Sequence, residues 1–297
     1  LKNPAASARA RLLNYSQRHG LVFNNLLTRY ALEGFLARLA AREFADQFIL
    51  KGGMLYHLWE TEALVSRTTR DLDLLGQGEV NPQRILALFK ALDSPLATAE
   101  DGLLFHPDKM FAEIIRGDHH GGIRFDAQAQ LDAANIRFHV DIGFGDVVYP
   151  AAQVQAYPRL LEFIRPMLRV YPKETVIAEK FEAMVVLGLA NSRMKDFYDL
   201  GFLSSRFQFK GTTLSKALQG TFAHRKTPFP VEKPVALTKI FAEDPTKQAQ
   251  WKAFLRKNRF PEKSLAKVIR DLDDFLSPIV AGDLEAMKWN PGGPWLM

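Results

Sequence analysis

The sequence predicts an α/β protein of the α+β kind, with a mixed or antiparallel sheet, helices ahead of it and a helical C-terminal region. Three observations carry this. Residues 123–142 alternate apolar and polar side chains, the period of strands with one buried face. Residues 26–39 repeat apolar positions at helical spacing. From Lys173 the chain turns helical, which divides it into 1–172 and 173–297. Two domains suit a chain of 297 residues.

In the first segment Leu26, Leu27, Tyr30, Ala31, Phe35, Leu36 and Leu39 form the helical stripe. Residues 1–42 hold seven Lys/Arg and one acid, Glu33, so one or two amphipathic helices with a basic, mostly solvated outer face are expected.

Phe48-Ile49-Leu50-Lys51-Gly52-Gly53-Met54 follows, an apolar end running into a glycine pair. Without Cβ atoms, Gly52 and Gly53 let another group approach the backbone. A short helix opening there, with Leu55, Leu58 and Trp59 on its apolar side, would aim free N–H groups at a phosphate. Asp71-Leu72-Asp73-Leu74 then reads as a strand. Residues i and i+2 share a face, so Asp71 and Asp73 point together and Leu72 and Leu74 point to the core. Two adjacent carboxylates suit Mg²⁺, which takes oxygen ligands and keeps phosphate oxygens and waters. An ordinary strand edge with two solvated acids is the alternative.

Residues 83–92 read as a helix after Asn81-Pro82. Ile123–Leu131 and Ile136–Ile142 read as antiparallel strands, and Met110–Arg116 as a third. Asp141 then lies on a polar face just before a Gly143-Phe144-Gly145 turn, where it could complete a metal site, accept a proton or merely stabilise the turn. His139 beside it has no second His at ligand spacing.

In the helix predicted over 174–189, Lys180 has Val176, Ile177, Ala183 and Met184 as its neighbours three and four residues away. A lysine there either snorkels to water or meets an anion. These apolar neighbours predict that Lys180→Met would be tolerated. Asn191-Ser192 is expected to cap the next helix, on which Asp196 and Asp199 share a face. The last third reads as helical, broken at His224–Pro234. Residues 246–270 hold eight Lys/Arg and one acid, with Trp251, Phe254 and Leu255 interleaved. Lys252, Arg256, Lys257 and Arg259 are the candidate RNA contacts there, and a solvated face is the alternative. Trp289–Met297 reads as an irregular tail.

Composition narrows the classes. There is no cysteine, which excludes disulfides, cysteine zinc sites and thiol nucleophiles. No apolar run reaches membrane-spanning length and no signal-peptide core follows the basic start, so a cytoplasmic protein without a membrane partner is expected. A net charge of +6 leans towards polyanions.

Lys51-Gly52-Gly53, Arg67-x-Thr69-x-Asp71-x-Asp73-Leu74, Asp141-Ile142-Gly143-Phe144-Gly145, Glu179-Lys180-Phe181-x-Ala183 and Lys195-Asp196-Phe197-Tyr198-Asp199-Leu200 together resemble the AbiEii/AbiGii-type nucleotidyltransferase toxins, relatives of the MenT toxins. The resemblance runs from about Leu26 to about Leu203. It implies a polymerase-β-like nucleotidyltransferase core whose active site is completed by the C-terminal helices. It implies a toxin of a bacterial toxin–antitoxin or phage-defence pair with a cognate antitoxin. The implied reaction moves NMP from an NTP to an acceptor hydroxyl, at the 3′ end of tRNA or another RNA, with Mg²⁺ or Mn²⁺. Carried over by residue, Lys51, Gly52, Gly53, Thr69, Lys180 and Asp199 would hold the nucleotide. Asp71, Asp73 and Asp141 would hold metal, and Lys180 and Asp196 would join them in catalysis. The competing readings are an Asp-x-Asp sugar-nucleotide transferase and a non-catalytic domain that binds nucleotide or a partner.

Overall fold

The computed structural model describes residues 3–59, 69, 71–93, 99–115, 121–282, 284 and 286–297. Arg67 of the second motif and Arg116 at the end of the third predicted strand lie outside them. The chain forms two compact units: residues 1–146 with 152–171, and residues 147–151 with 172–297.

The first unit opens with helices α1 (Pro4–His19) and α2 (Phe23–Ala40). Strand β1 (Phe48–Lys51) leads into a 3₁₀ turn (Gly52–Leu55) and the single-turn helix α3 (Tyr56–Trp59). Then come β2 (Asp71–Gly76), α4 (Pro82–Lys90), β3 (Leu103–Phe105), β4 (Phe111–Ile115), β5 (Gly122–Leu131), β6 (Ala134–Phe144), β7 (Gln153–Ala156) and β8 (Met167–Val170). They make one eight-stranded mixed sheet in the order β3-β5-β6-β2-β1-β8-β7, with β4 sharing the outer edge of β5 with β3. β2 runs parallel to β6 and antiparallel to β1.

The core lies on one side of this sheet. Phe35 of α2 meets Phe89 of α4, Phe105 of β3, Phe125 of β5 and Phe138 of β6 ring to ring. These rings come from the apolar positions of the two alternating runs and the two helices. Asn81 caps α4 by accepting from the Arg84 N–H at 3.0 Å, with Pro82 at the first helical position.

α2 differs from the expected surface helix. It is buried nearly all round, Glu33 and Arg38 included. Arg38 donates to both oxygens of Asp101, at 2.9 and 3.1 Å. Glu33 takes Arg29 and the Leu160 N–H, both at 2.8 Å, and burial pushes its carboxyl up. These polar groups stay inside because each has a partner. The predicted turn at Gly143 is also displaced. β6 runs on through Phe144, whose ring is buried, and the chain turns at Gly145, φ +84°.

The second unit holds α5 (Lys173–Leu187), α6 (Met194–Arg206), β9 (Phe209–Lys210), α7 (Gly211–His224), α8 (Lys239–Glu243), α9 (Pro245–Asn258), α10 (Leu265–Ala281), β10 (Lys288–Trp289) and β11 (Trp295–Leu296). The tail expected to be irregular forms a small antiparallel sheet in the order β11-β10-β9. Trp289 and Trp295 bury their rings against Phe275 and donate to the Ser204 and Phe275 carbonyls at 2.6 and 3.0 Å. A buried indole needs both an apolar bed and an acceptor, and a paired strand supplies them.

Candidate active site

The other face of the first unit's sheet carries two rows of mostly polar side chains. Cross-strand partners share a face, so the register fixes both rows. One runs Lys51, Asp73, Asp141, Arg124, Glu113 across β1, β2, β6, β5 and β4. The next runs Asp71, His139, Asp126, Phe111 across β2, β6, β5 and β4. Leu72 and Leu74 are fully buried on the other side, which is what turns both aspartates outward.

Lys51, Asp71, His139, Asp141 and Arg124 are each held by a neighbour. His139 Nε2 lies 2.9 Å from Asp71 Oδ1. Arg124 grips both oxygens of Asp141 at 2.8 Å, and the pairing pushes the guanidinium further up from its already high value. Lys51 Nζ reaches Asp146 at 2.7 Å and lies over the Tyr171 ring. The Thr69 hydroxyl donates to the Asp71 carbonyl at 3.0 Å. Gly52 has φ +69°, and a Cβ there would run into the Asp73 carboxylate. The glycine is therefore required twice, for its left-handed backbone and for the close approach of Asp73.

Asp141, the third of the candidate carboxylates, takes one Arg124 N–H on each oxygen and keeps a further lone pair on each. Among the described residues, no three His, Asp or Glu side chains come together as a metal-holding group. The donor set still suits a hard divalent ion. Asp71 and Asp73 are oxygen donors on one face, and Mg²⁺ is commonly bound through one or two carboxylates plus substrate phosphates.

The second unit gathers the other predicted residues. Lys180 of α5 meets an anion, as one of the two sequence alternatives required, and the anions are the chain's own. Its Nζ lies 2.5 Å from Asp196 Oδ1 and 2.9 Å from Asp199 Oδ2 on α6. Arg193 Nε holds the other oxygen of Asp196 at 2.7 Å. Burial works to raise the Asp196 carboxyl, but Lys180 and Arg193 outweigh it and hold it below the ordinary carboxylate range. Asn191 does not cap α6 as expected. The helix starts at Met194, and the Asn191 side chain accepts from the Arg193 N–H at 2.8 Å, closing a turn before the helix. Lys252, Arg256, Lys257 and Arg259 are exposed at the α9 end, while Trp251 and Leu255 are buried, so those two apolar residues belong to the core.

His139, Arg124, Asp146 and Arg193 were missed as members of these clusters. Alternation could place Arg124 and His139 on a polar face, but only the register says which carboxylate each one meets.

The model of the family described as nucleotidyl transferase AbiEii toxin, type IV toxin–antitoxin system, matches residues 34–277. No curated protein matches the sequence significantly. Among solved structures, a candidate nucleotidyltransferase from H. pylori aligns at 16% identity with a TM-score of 0.50, covering 88% of this chain and 97% of its own. JHP933 from Helicobacter pylori aligns at 16% identity with a TM-score of 0.48, covering 86% and 92%. With more than half its length matched by one family and both aspartates on one strand face beside the glycine pair, the chain belongs to the AbiEii nucleotidyl transferase toxins of type IV toxin–antitoxin systems.

Proposed function

We propose that this nucleotidyltransferase moves NMP from an NTP to the 3′ hydroxyl of an RNA, tRNA among the candidates, and that the Asp71/Asp73 face is its catalytic centre. The carrying observation is the pair of outward carboxylates on β2 with Gly52 packed against Asp73. In the reaction the acceptor oxygen bonds to the α-phosphorus, the bond from that phosphorus to the bridging oxygen breaks, and pyrophosphate leaves.

Asp71 and Asp73 would hold the divalent cation. When bound, such an ion polarises phosphoryl oxygens and offsets the charge that builds up on them. Gly52 and Gly53 present backbone, without a Cβ, to the triphosphate. Lys51 and Thr69 border the same turn. The chain's share of catalysis is then positioning and charge stabilisation rather than covalent chemistry. Lys180, Asp196 and Asp199 are proposed, on family resemblance, as a nucleotide-handling cluster of the second unit. An antitoxin is the partner that the family supplies.

The test is incubation of the purified protein with Mg²⁺, total RNA and each labelled NTP in turn. A labelled RNA band with release of pyrophosphate is expected. Label from a sugar nucleotide, or binding of NTP without pyrophosphate release, would replace this reading with one of its rivals.

A further inference from the structure

The row that contains Asp71 does not stop at the carboxylates. It continues over His139 and Asp126 to Phe111 on the edge strand β4. Three strand spacings separate its ends, about 14 Å. A groove of about 350 Å³ lies along this row, lined by Lys109, Phe111, Asp126, Gln128, Arg137 and His139.

Its lining has an unusual make-up. Phe111 is 64% exposed. No described residue makes a ring contact with it, although most other phenylalanines of this unit are packed into the core. Lys109 and Arg137 are exposed, and neither has an ion pair among the described residues. A bare ring beside unpaired cations does nothing for the fold. An exposed aromatic costs hydration, and the cations add like-sign charge. Together they are the elements that hold a single-stranded nucleic acid, with the ring stacking a base and the cations tracking the backbone. Asp126 and Gln128 between them offer polar atoms to base edges or ribose hydroxyls.

We infer that this groove seats the terminal nucleotides of the acceptor strand, with Phe111 stacking a base, Lys109 and Arg137 on phosphates, and the 3′ end directed along the row to Asp71. The inference rests on the RNA-transfer reading above and deepens it. It assigns the acceptor's track to the sheet face rather than to residues 246–270. It also makes the acceptor single-stranded at its end, because a paired end cannot give up a base for stacking.

The test uses a short fluorescein-labelled single-stranded RNA with a free 3′ hydroxyl, the blunt duplex of the same sequence, and the full chain. Phe111→Ala should weaken single-strand binding and raise the acceptor KM, each roughly 5- to 100-fold, the range for one lost stack. Phe111→Trp should restore both, and its indole fluorescence should be quenched on binding. Lys109→Ala with Arg137→Ala should flatten the salt dependence of binding by up to about two units of slope. NTP affinity, measured in parallel, should stay at the wild-type value in all variants. Wild-type acceptor KM in Phe111→Ala, or equal affinity for the duplex, overturns the groove. If wild type transfers nothing to any RNA while Phe111→Ala still loses RNA binding, the groove stands as an RNA site and the transfer reading fails. A wild type that labels protein and binds neither RNA overturns both.

Discussion

Asp73 on β2 and Asp141 on β6 stand directly opposite each other in a parallel strand pair, and they are held by different means. Asp141 is clamped by Arg124, whereas the Asp73 carboxylate lies against the backbone of Gly52. One acid is tied to a cation, and the other is pressed to the turn proposed to carry the triphosphate. Asp71→Asn and Asp73→Asn should each lower nucleotide transfer by at least ~100-fold, since even outer partners of a metal ligand are worth 10–100-fold. Both variants should unfold in urea at the wild-type midpoint within error. Near wild-type transfer at limiting Mg²⁺ by either variant would remove the carboxylate pair from the mechanism.

Gly52→Ala should cost more than its size suggests. The left-handed backbone alone costs about 1–2 kcal/mol for an L-residue, and the added methyl would push Asp73 aside. Urea denaturation should show a loss at least that large, with transfer reduced alongside it. A variant as stable and as active as wild type would show that the turn tolerates a Cβ.

The apolar neighbours of Lys180 predict that methionine would be accepted there, and its partners reverse that expectation. Lys180 holds Asp196 and Asp199, both buried, and removing one partner of a buried pair typically costs about 3–5 kcal/mol. Lys180→Met should therefore be clearly destabilised in thermal and urea unfolding. The double variant Lys180→Met with Asp196→Asn should regain part of the loss, because one stranded charge is gone. Equal stability of wild type and Lys180→Met would mean that water reaches the two acids.

Asp196 makes stability depend on pH in a defined direction. Its folded carboxyl lies below the ordinary value, so the unfolded chain takes up the proton first as the solution is acidified. Its contribution is complete above about pH 3.9, the ordinary aspartate value, and is lost as pH falls from there through the lowered folded value. The stability gap between wild type and Asp196→Asn, followed by urea unfolding across the acid range, should narrow below about pH 4. A gap that stays constant would argue against a lowered carboxyl.

The exposed cations at the end of α9 are the alternative candidate to the sheet groove for an RNA contact. Neutralising Lys252, Arg256, Lys257 and Arg259 together should flatten the salt slope of RNA binding by at most about one unit per lost contact, leaving NTP binding alone. An unchanged slope makes them a solvated face.

By itself the sequence determined the strand alternation, the helices, the outward direction of Asp71 and Asp73, and the family motifs. All of these depend on local period and spacing, which the order of residues carries directly. Leu72 and Leu74 force the two aspartates to one face whatever the partner strands are. Lys180 among apolar neighbours leaves two choices open, water or an anion, and only the structure selects between them. What only the tertiary structure decided is pairing. His139 on Asp71, Arg124 on Asp141, Lys51 on Asp146 and Lys180 on Asp196 join residues separated by 16 to 95 positions. A strand's register and neighbours arise from closing the whole sheet, and no local period encodes them. For the same reason Arg38, read as part of a basic surface, finds its buried partner Asp101 only in the folded chain. The two tail tryptophans likewise became strand residues only once Phe209 and Phe275 offered them a bed.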